Sequence, residues 1–430
     1  MILAWMLIVL VILIVLSVPV FGALGVSTIL YYFETGRPAA LIVLFQQTFR
    51  GLTSFSFLAV PMFMLAGNLM TRGGITDRLI ALARTFVGHF VGGLAQVNVL
   101  VSLFFAGISG SAHADVAAIG TVLIPAMEKE GYDRDFAGAL TAASAVLSPL
   151  LPPSIVMVIY GATFGVSISS LFAAGLTIGI VLAITQMIIT YIICKYHRYP
   201  SHPRASLRQI LSALREALIP LAMPAIIIGG ILGGVFTATE ASAVAALYAL
   251  IVSVFIYKTV KFRDLWDILL SSAQTTAAIV ILAGMARAFS YIVARQNIPS
   301  KIMDSILVFS SNPVILLTLI LFTLVVAGMF VDRTTNVLLF TPIIAPILTT
   351  YFGFSSVHAA MSIIMALGVG HLTPPVGGTL LTTALIGKLS VEGLTKKGWP
   401  YILGLVVIAV LVFIFPQLSE TLPGMLGMRL

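Results

Sequence analysis

The chain has 430 residues, 60% of them hydrophobic and 9% charged, a formal net charge of +8 and a mean hydropathy of +1.12. Too few polar side chains are present to cover a soluble globule, so the chain belongs in a lipid bilayer. The basic residues gather in short connections and do not line a face interleaved with aromatics, which argues against nucleic acid as a partner; the single cysteine, Cys194, excludes an internal disulfide and a thiolate metal cluster.

Taken from the N-terminus, Met1 to Tyr32 is apolar without a basic n-region or a small-residue cleavage site, so residues 1–34 read as one retained membrane helix. Apolar runs long enough to cross recur from Leu3 to Phe415, which gives roughly ten helical passes, some incomplete, and no soluble domain between them. Residues 35–200 form a first unit. Within it Gly93 to Phe105 is too short to span, Ala106-Gly-Ile-Ser-Gly-Ser111 is a small polar tip, and Ala112 to Met127 returns, so a re-entrant hairpin is expected over about residues 93–128. Ser148-Pro-Leu-Leu-Pro-Pro-Ser154 then sets a proline pair inside an apolar helix. Proline removes a backbone donor and clashes one turn back, so the helix unwinds and frees carbonyl oxygens that suit an alkali cation.

Residues 201–257 are read as a basic linker followed by scaffold helices. The densest basic stretch, Lys195 to Arg215 with Arg198, Arg204 and Arg208, places that connection in the cytoplasm. Residues 258–423 then repeat the first unit at a nearly fixed offset. Arg72 returns as Arg295 and Ser109 as Asp332, both 223 residues on, Pro125 as Pro346 after 221, and Pro152-Pro153 as Pro374-Pro375 after 222. The second hairpin is expected over about 314–348, with Val314 to Ala327, a tip at Gly328 to Asn336, and Val337 to Leu348. The second proline pair lies in Gly370-His-Leu-Thr-Pro-Pro-Val-Gly-Gly378. The first hairpin opens beside Arg84, Lys129 and Arg134, whereas the second opens at residues 309–313 and 351–358, which hold no Lys or Arg. The two therefore face opposite sides and the repeats are inverted, as in secondary transporters.

Ionisable residues at membrane depth face a cavity or a partner. Asp115 has two readings, a cap on the returning half-helix and a cation ligand, with capping the simpler. Glu240, in Phe236-Thr-Ala-Thr-Glu240, has helix-start chemistry as its plain reading. Arg287 and Arg333 are candidates for recognising a carboxylate, against an internal ion pair with Asp332. Gly107-Ile-Ser-Gly110 has the outline of an intramembrane serine protease motif, with His113 and His371 available as bases. The matching tip of the second copy has no serine, so the chain is not read as an enzyme.

Several segments carry a family resemblance: Phe104-Phe-Ala-Gly-Ile-Ser-Gly-Ser-Ala-His-Ala-Asp115, Ile124-Pro-Ala-Met127, Gly131-Tyr132, Pro152-Pro-Ser-Ile155, Phe236-Thr-Ala-Thr-Glu-Ala-Ser-Ala243 and Leu372-Thr-Pro-Pro-Val-Gly377. Together they resemble the large membrane subunit of tripartite ATP-independent periplasmic transporters, across nearly the whole chain. The resemblance implies an all-α, multi-pass protein of a bacterial inner membrane that imports a small organic anion with Na+ by an elevator mechanism. It also implies a periplasmic substrate-binding protein and a small four-helix membrane subunit, the latter as a separate polypeptide. No Gly-x-x-x-x-Gly-Lys-[Ser/Thr] loop is present, which fits ion-driven transport. By the same resemblance one Na+ would be held by Ser109, Ser148, Leu151 and Pro153, and a second by Gly328, Gly370, Thr373 and Val376. Substrate would lie between the tips, near Ser111 and Asp332, with Arg287 and Arg333 as candidate partners. His113 and Arg333 depart from the family pattern; His113 offers either a satisfied neutral imidazole or a group that titrates near neutral pH. The rival reading is a single-component symporter that works without a binding protein.

Overall fold

The computed structural model describes residues 2–36, 41–308 and 310–430, and every regular element among them is a helix. The chain opens with α1 (Ile2–Val15) and α2 (Val20–Glu34), which pack antiparallel. Residues 1–34 are thus two helices and not the single one read from the sequence. The break lies at Ser17, held at a φ of 62°, and Pro19, which cannot continue the ladder. Next come α3 (Leu41–Leu52), a 3-10 turn at Phe55–Leu58 and α4 (Ala59–Arg72), then the short amphipathic α5 (Ile75–Val87). In α5 the residues Ile75, Leu79, Leu82 and Ala83 are buried while Asp77 and Arg84 face outward, the stripe of a helix lying along the bundle.

The first hairpin is α6 (Gly93–Ser109) descending, with α7 (Ala112–Asp115), a π turn at Val116–Gly120 and α8 (Thr121–Lys129) returning. A broken crossing follows: α9 (Arg134–Ser144), a 3-10 turn at Ala145–Leu150, an extended stretch through the cis Pro152–Pro153 bond, and α10 (Ile155–Phe164). Then α11 (Ile168–His197), α12 (Leu207–Leu232), α13 (Ala238–Leu250) with its π turn at Ile251–Ile256, and α14 (Phe262–Arg295) cross in turn. The pattern then returns as α15 (Ile298–Leu307), a hairpin of α16 (Pro313–Phe330) and α17 (Arg333–Phe352), and a second broken crossing, α18 (Ser356–His371) to α19 (Gly378–Gly387). The latter breaks around the cis Pro374–Pro375 bond, and α20 (Val391–Ile414) and α21 (Gln417–Met425) close the chain. Phe309, one of the residues at the second hairpin's opening, lies outside the described residues.

The two repeats are related by position and by packing. Glycines let α3 cross α14 closely, Gly51 lying against Gly284; α2 packs on α14 as α13 packs on α4. Residues 201–257, read from the sequence as a linker with scaffold helices, hold α12 and α13.

Parity fixes the inversion. Between the hairpins the chain crosses as α9–α10, α11, α12, α13 and α14, an odd number, so the hairpins open on opposite faces. The contacts agree. The connection after α11 lies beside the base of the first hairpin: Pro200 O accepts from Gly92 N at 3.1 Å, His202 N donates to Gly88 O at 3.1 Å, and His202 Nε2 meets Glu130 at 3.0 Å. On the opposite face Arg429 O accepts from Ser170 Oγ at 2.7 Å, and His358 meets Ser419 at 2.8 Å. Yet the tips of these oppositely opening hairpins touch, His113 Nε2 lying 3.5 Å from Asp332 Oδ1. Tips that reached the far surfaces would be separated by the hydrocarbon thickness of about 30 Å, so both hairpins turn back inside. Their arms are longer than the apolar runs read from the sequence. Two of them, α16 and α17, are each long enough to span.

Candidate functional site

The first tip is shaped by Gly110, in the left-handed region at a φ of 61°, where a Cβ would strike the Pro153 carbonyl. Ser111 caps the returning arm, accepting from Ala114 N at 3.5 Å. Capping therefore falls to Ser111, and the capping role favoured for Asp115 does not hold. Asp115 is instead buried among hydroxyls: Ser109 Oγ donates to its Oδ1, Ser109 and Ser148 hydroxyls lie 3.1 Å apart, and Oδ2 has no partner. Two of the oxygen sources expected in one cation site, Ser109 and Ser148, thus meet the Asp115 carboxylate, whose other reading was a cation ligand, while the Pro153 carbonyl lies against Gly110 of the same tip. The side chain of Leu151 packs on Gly179. A set of hydroxyls, carbonyls and one carboxylate with an orphaned oxygen suits a hard cation.

At the second tip, Asp332 caps α17 by accepting from Thr334 N at 2.9 Å. Asn336 Nδ2 donates to Ala327 O at 3.0 Å and Val331 O at 2.8 Å, tying the tip's backbone to its own second arm. Gly328 of the arm and Gly370 of α18 lie backbone to backbone, and Gly377 N donates to Met329 O at 3.0 Å, so the second broken helix is laced to this tip. Gly328 and Gly370 are thereby brought together; Thr373 hydrogen-bonds back to Val369 O at 2.7 Å, and Val376 is partly exposed.

A cavity of about 320 Å³ lies between the tips. Ser111, His113, Asp332, Arg333 and His371 provide its polar wall, while Met64 of α4 and Ala278, Ile279 and Leu282 of α14 provide an apolar one. Arg333 is 2% exposed, and none of its three guanidinium nitrogens has a hydrogen-bond partner. Its terminal atoms lie over Gly368 of α18. The internal ion pair considered for Arg333 and Asp332 does not form. Asp332 turns to the histidines instead, with His371 Nε2 4.0 Å from its Oδ1. Arg287 is outside the cavity's lining; its side chain packs at Gly51 of α3, which separates it from the other three candidate substrate ligands. Glu240 has its plain reading, a capping box in which it accepts from Thr237 N at 2.8 Å.

His371 entered the sequence reading only as a hypothetical protease base, and Thr382 not at all. One signal could have found His371: the offset of 223 that carries Ser109 onto Asp332 also carries Ser148 onto His371. The hydroxyl pair of the first half and the acid–imidazole pair of the second occupy matching positions. The protease outline fails on geometry, since Ser109 bonds to Asp115 and Ser148 while His113 bonds to Thr382 at 2.8 Å.

Two re-entrant tips and two broken helices that converge inside a many-helix membrane bundle define a carrier of the secondary-transporter class. The comparisons are specific within that class. A model of the DctM component of tripartite ATP-independent periplasmic transporters matches residues 7–418, and the chain belongs to that family. It is 40% identical to the sialic acid TRAP transporter large permease SiaM of Vibrio cholerae over 88% of each chain. It is 34% identical to the C4-dicarboxylate large permease DctM of Pseudomonas aeruginosa over 95% of this chain and 94% of that one. Its fold is similar to that of the Alcanivorax borkumensis YdaH transporter, with a TM-score of 0.61 at 14% identity over 90% of both chains. The chain is a multi-pass transporter permease and not an enzyme.

Proposed function

We propose that this chain imports a small organic anion, a carboxylate or sugar acid, across a bacterial inner membrane in symport with Na+. The single observation that carries the anion is Arg333. A buried guanidinium without a partner is costly, and a carboxylate arriving in the cavity relieves that cost through charge-assisted, bidentate hydrogen bonds. The names of similar permeases support the class: sialic acid, C4-dicarboxylates and 2,3-diketo-L-gulonate for those of Vibrio cholerae, Pseudomonas aeruginosa and Escherichia coli. The buried oxygen cluster of Ser109, Asp115 and Ser148, with the Pro153 and Leu151 backbone as further donors, is where Na+ would sit, with Gly328, Gly370, Thr373 and Val376 as the second set. The cavity divides its walls between polar tips and the apolar faces of α4 and α14. Such a seam suits an elevator in which hairpins and broken helices slide along long helices. Family membership supports a separate small membrane subunit and a periplasmic binding protein as partners, and the basic connections of one face support the inner membrane.

The test is uptake into proteoliposomes holding the permease with its small subunit. Saturable uptake is expected only with an inward Na+ gradient and the binding protein present. Uptake unaffected by removing the binding protein would establish the single-component reading instead, and uptake indifferent to Na+ would remove the coupling.

A further inference from the structure

Besides an anion-binding residue, the cavity holds a donor set of another kind. His113, Asp332 and His371 each offer one ligand atom, and these atoms lie within 4.8 Å of one another. The three come from three elements: the first tip, the second tip and the end of α18.

The orientation of His113 is informative. Its Nδ1 lies 2.8 Å from Thr382 Oγ1, and that hydroxyl spends its only proton on the Gly378 carbonyl, also at 2.8 Å. Thr382 therefore accepts from Nδ1–H, and in the neutral ring the lone pair then lies on Nε2. Nε2 lies 3.5 Å from Asp332 Oδ1. Two electron-rich atoms at that distance favour a cation between them, a proton or a metal ion. His371 approaches the same oxygen with Nε2 at 4.0 Å, its ring lodged in the space that a Cβ on Gly378 would fill and edge-on to the ring of His113 at 5.3 Å.

We infer that His113, Asp332 and His371 form a binding site for a divalent transition-metal ion of the zinc class, joining the two hairpin tips. Tetrahedral zinc at its usual bond lengths sets neighbouring donors about 3.3 Å apart, so the observed spacings close with small side-chain adjustments. Imidazole donors select such ions over Na+, Mg2+ and Ca2+, which require oxygen. Thr382 acts as the outer-shell partner that fixes the tautomer of a ligating histidine. Three protein donors leave one position open towards the cavity, for water or a carboxylate. Arg333, the other charged group on the lining, opposes a dication and weakens the site without altering its donors.

The test uses the purified permease with its small subunit in detergent, titrated with Co2+ and then Zn2+. One Co2+ is expected to bind with the intense visible absorption of a low-coordinate nitrogen–oxygen site, and one Zn2+ to bleach it. His113→Ala and His371→Ala abolish the band, and Thr382→Val weakens Co2+ affinity about 10- to 100-fold. Zn2+ also raises the thermal midpoint of the unmodified protein, a readout that needs no variant to fold. A wild-type spectrum of hexa-aqua Co2+ with no Zn2+ stabilisation would overturn the site and leave a proton as the cation between His113 and Asp332. So would a band that survives both histidine substitutions. These readouts involve no transport, so the metal site and the anion-import reading stand or fall separately.

Discussion

Arg333 and Arg287 looked alike in the sequence, each an arginine at depth, and the structure separates them. Under the proposed anion site, replacing Arg333 by Gln would remove a charge-assisted bond worth about 1.5–3 kcal/mol, so the KM for an anionic substrate is expected to rise about 10- to 100-fold in uptake assays. Arg287→Gln, which alters packing at Gly51, leaves KM unchanged. Asp115 gives the matching test for the cation. Asp115→Asn keeps the shape of the buried hydroxyl cluster but not its charge, so the Na+ concentration that half-saturates uptake is expected to rise while substrate KM at saturating Na+ holds. An unchanged Na+ dependence would take Asp115 out of cation binding. Ser109 and Asp332 were legible because a repeat placed them at the same point of two copies. The contact of His113 with Asp332 was not, because it joins the copies across 219 residues and follows no periodicity (332 − 113 = 219).

Helical breaks were easier to read than helix lengths. Prolines and glycines announce a break chemically, and both proline pairs and both tips fall where the sequence placed them. The α1–α2 turn escaped because Ser17 and Pro19 sit inside an otherwise continuous apolar run, and α5 because a short amphipathic helix carries too little hydrophobicity to register as a membrane element. Two contacts test how these elements are held. Asn336→Ala deletes both hydrogen bonds that pin the second tip and is expected to lower stability by about 2 kcal/mol, read as a lower thermal midpoint. At the start of α9, Asp133 caps Phe136 N and pairs with Lys397 of α20 at 2.7 Å. Burial raises the pKa of Asp133, but Lys397 and the backbone N–H groups outweigh it and hold the carboxyl below the usual range. A lowered folded-state value gives stability that is present at neutral pH and lost as pH falls through that value. Asp133→Asn should therefore shrink the loss of thermal midpoint on acidification.

For the molecule as a whole, the opposed openings of the hairpins predict opposed accessibility. Cys194 is fully buried against Gly92, so an introduced cysteine is the only reactive thiol. A membrane-impermeant maleimide should label Ser311→Cys on intact spheroplasts and Arg204→Cys only after permeabilisation; both labelling from one side would refute the inverted arrangement. The sequence revealed this architecture through its connections, where charge is unevenly shared, more than through its helices, whose uniform hydrophobicity says little about direction. Because the hairpins enter from opposite faces and meet at their tips, a charged solute held between the tips would have crossed only part of the electric field. Moving a full charge across 100 mV is worth about 2.3 kcal/mol, and that work is divided between arrival and release. Under the proposed import, membrane voltage should therefore alter both loading and release.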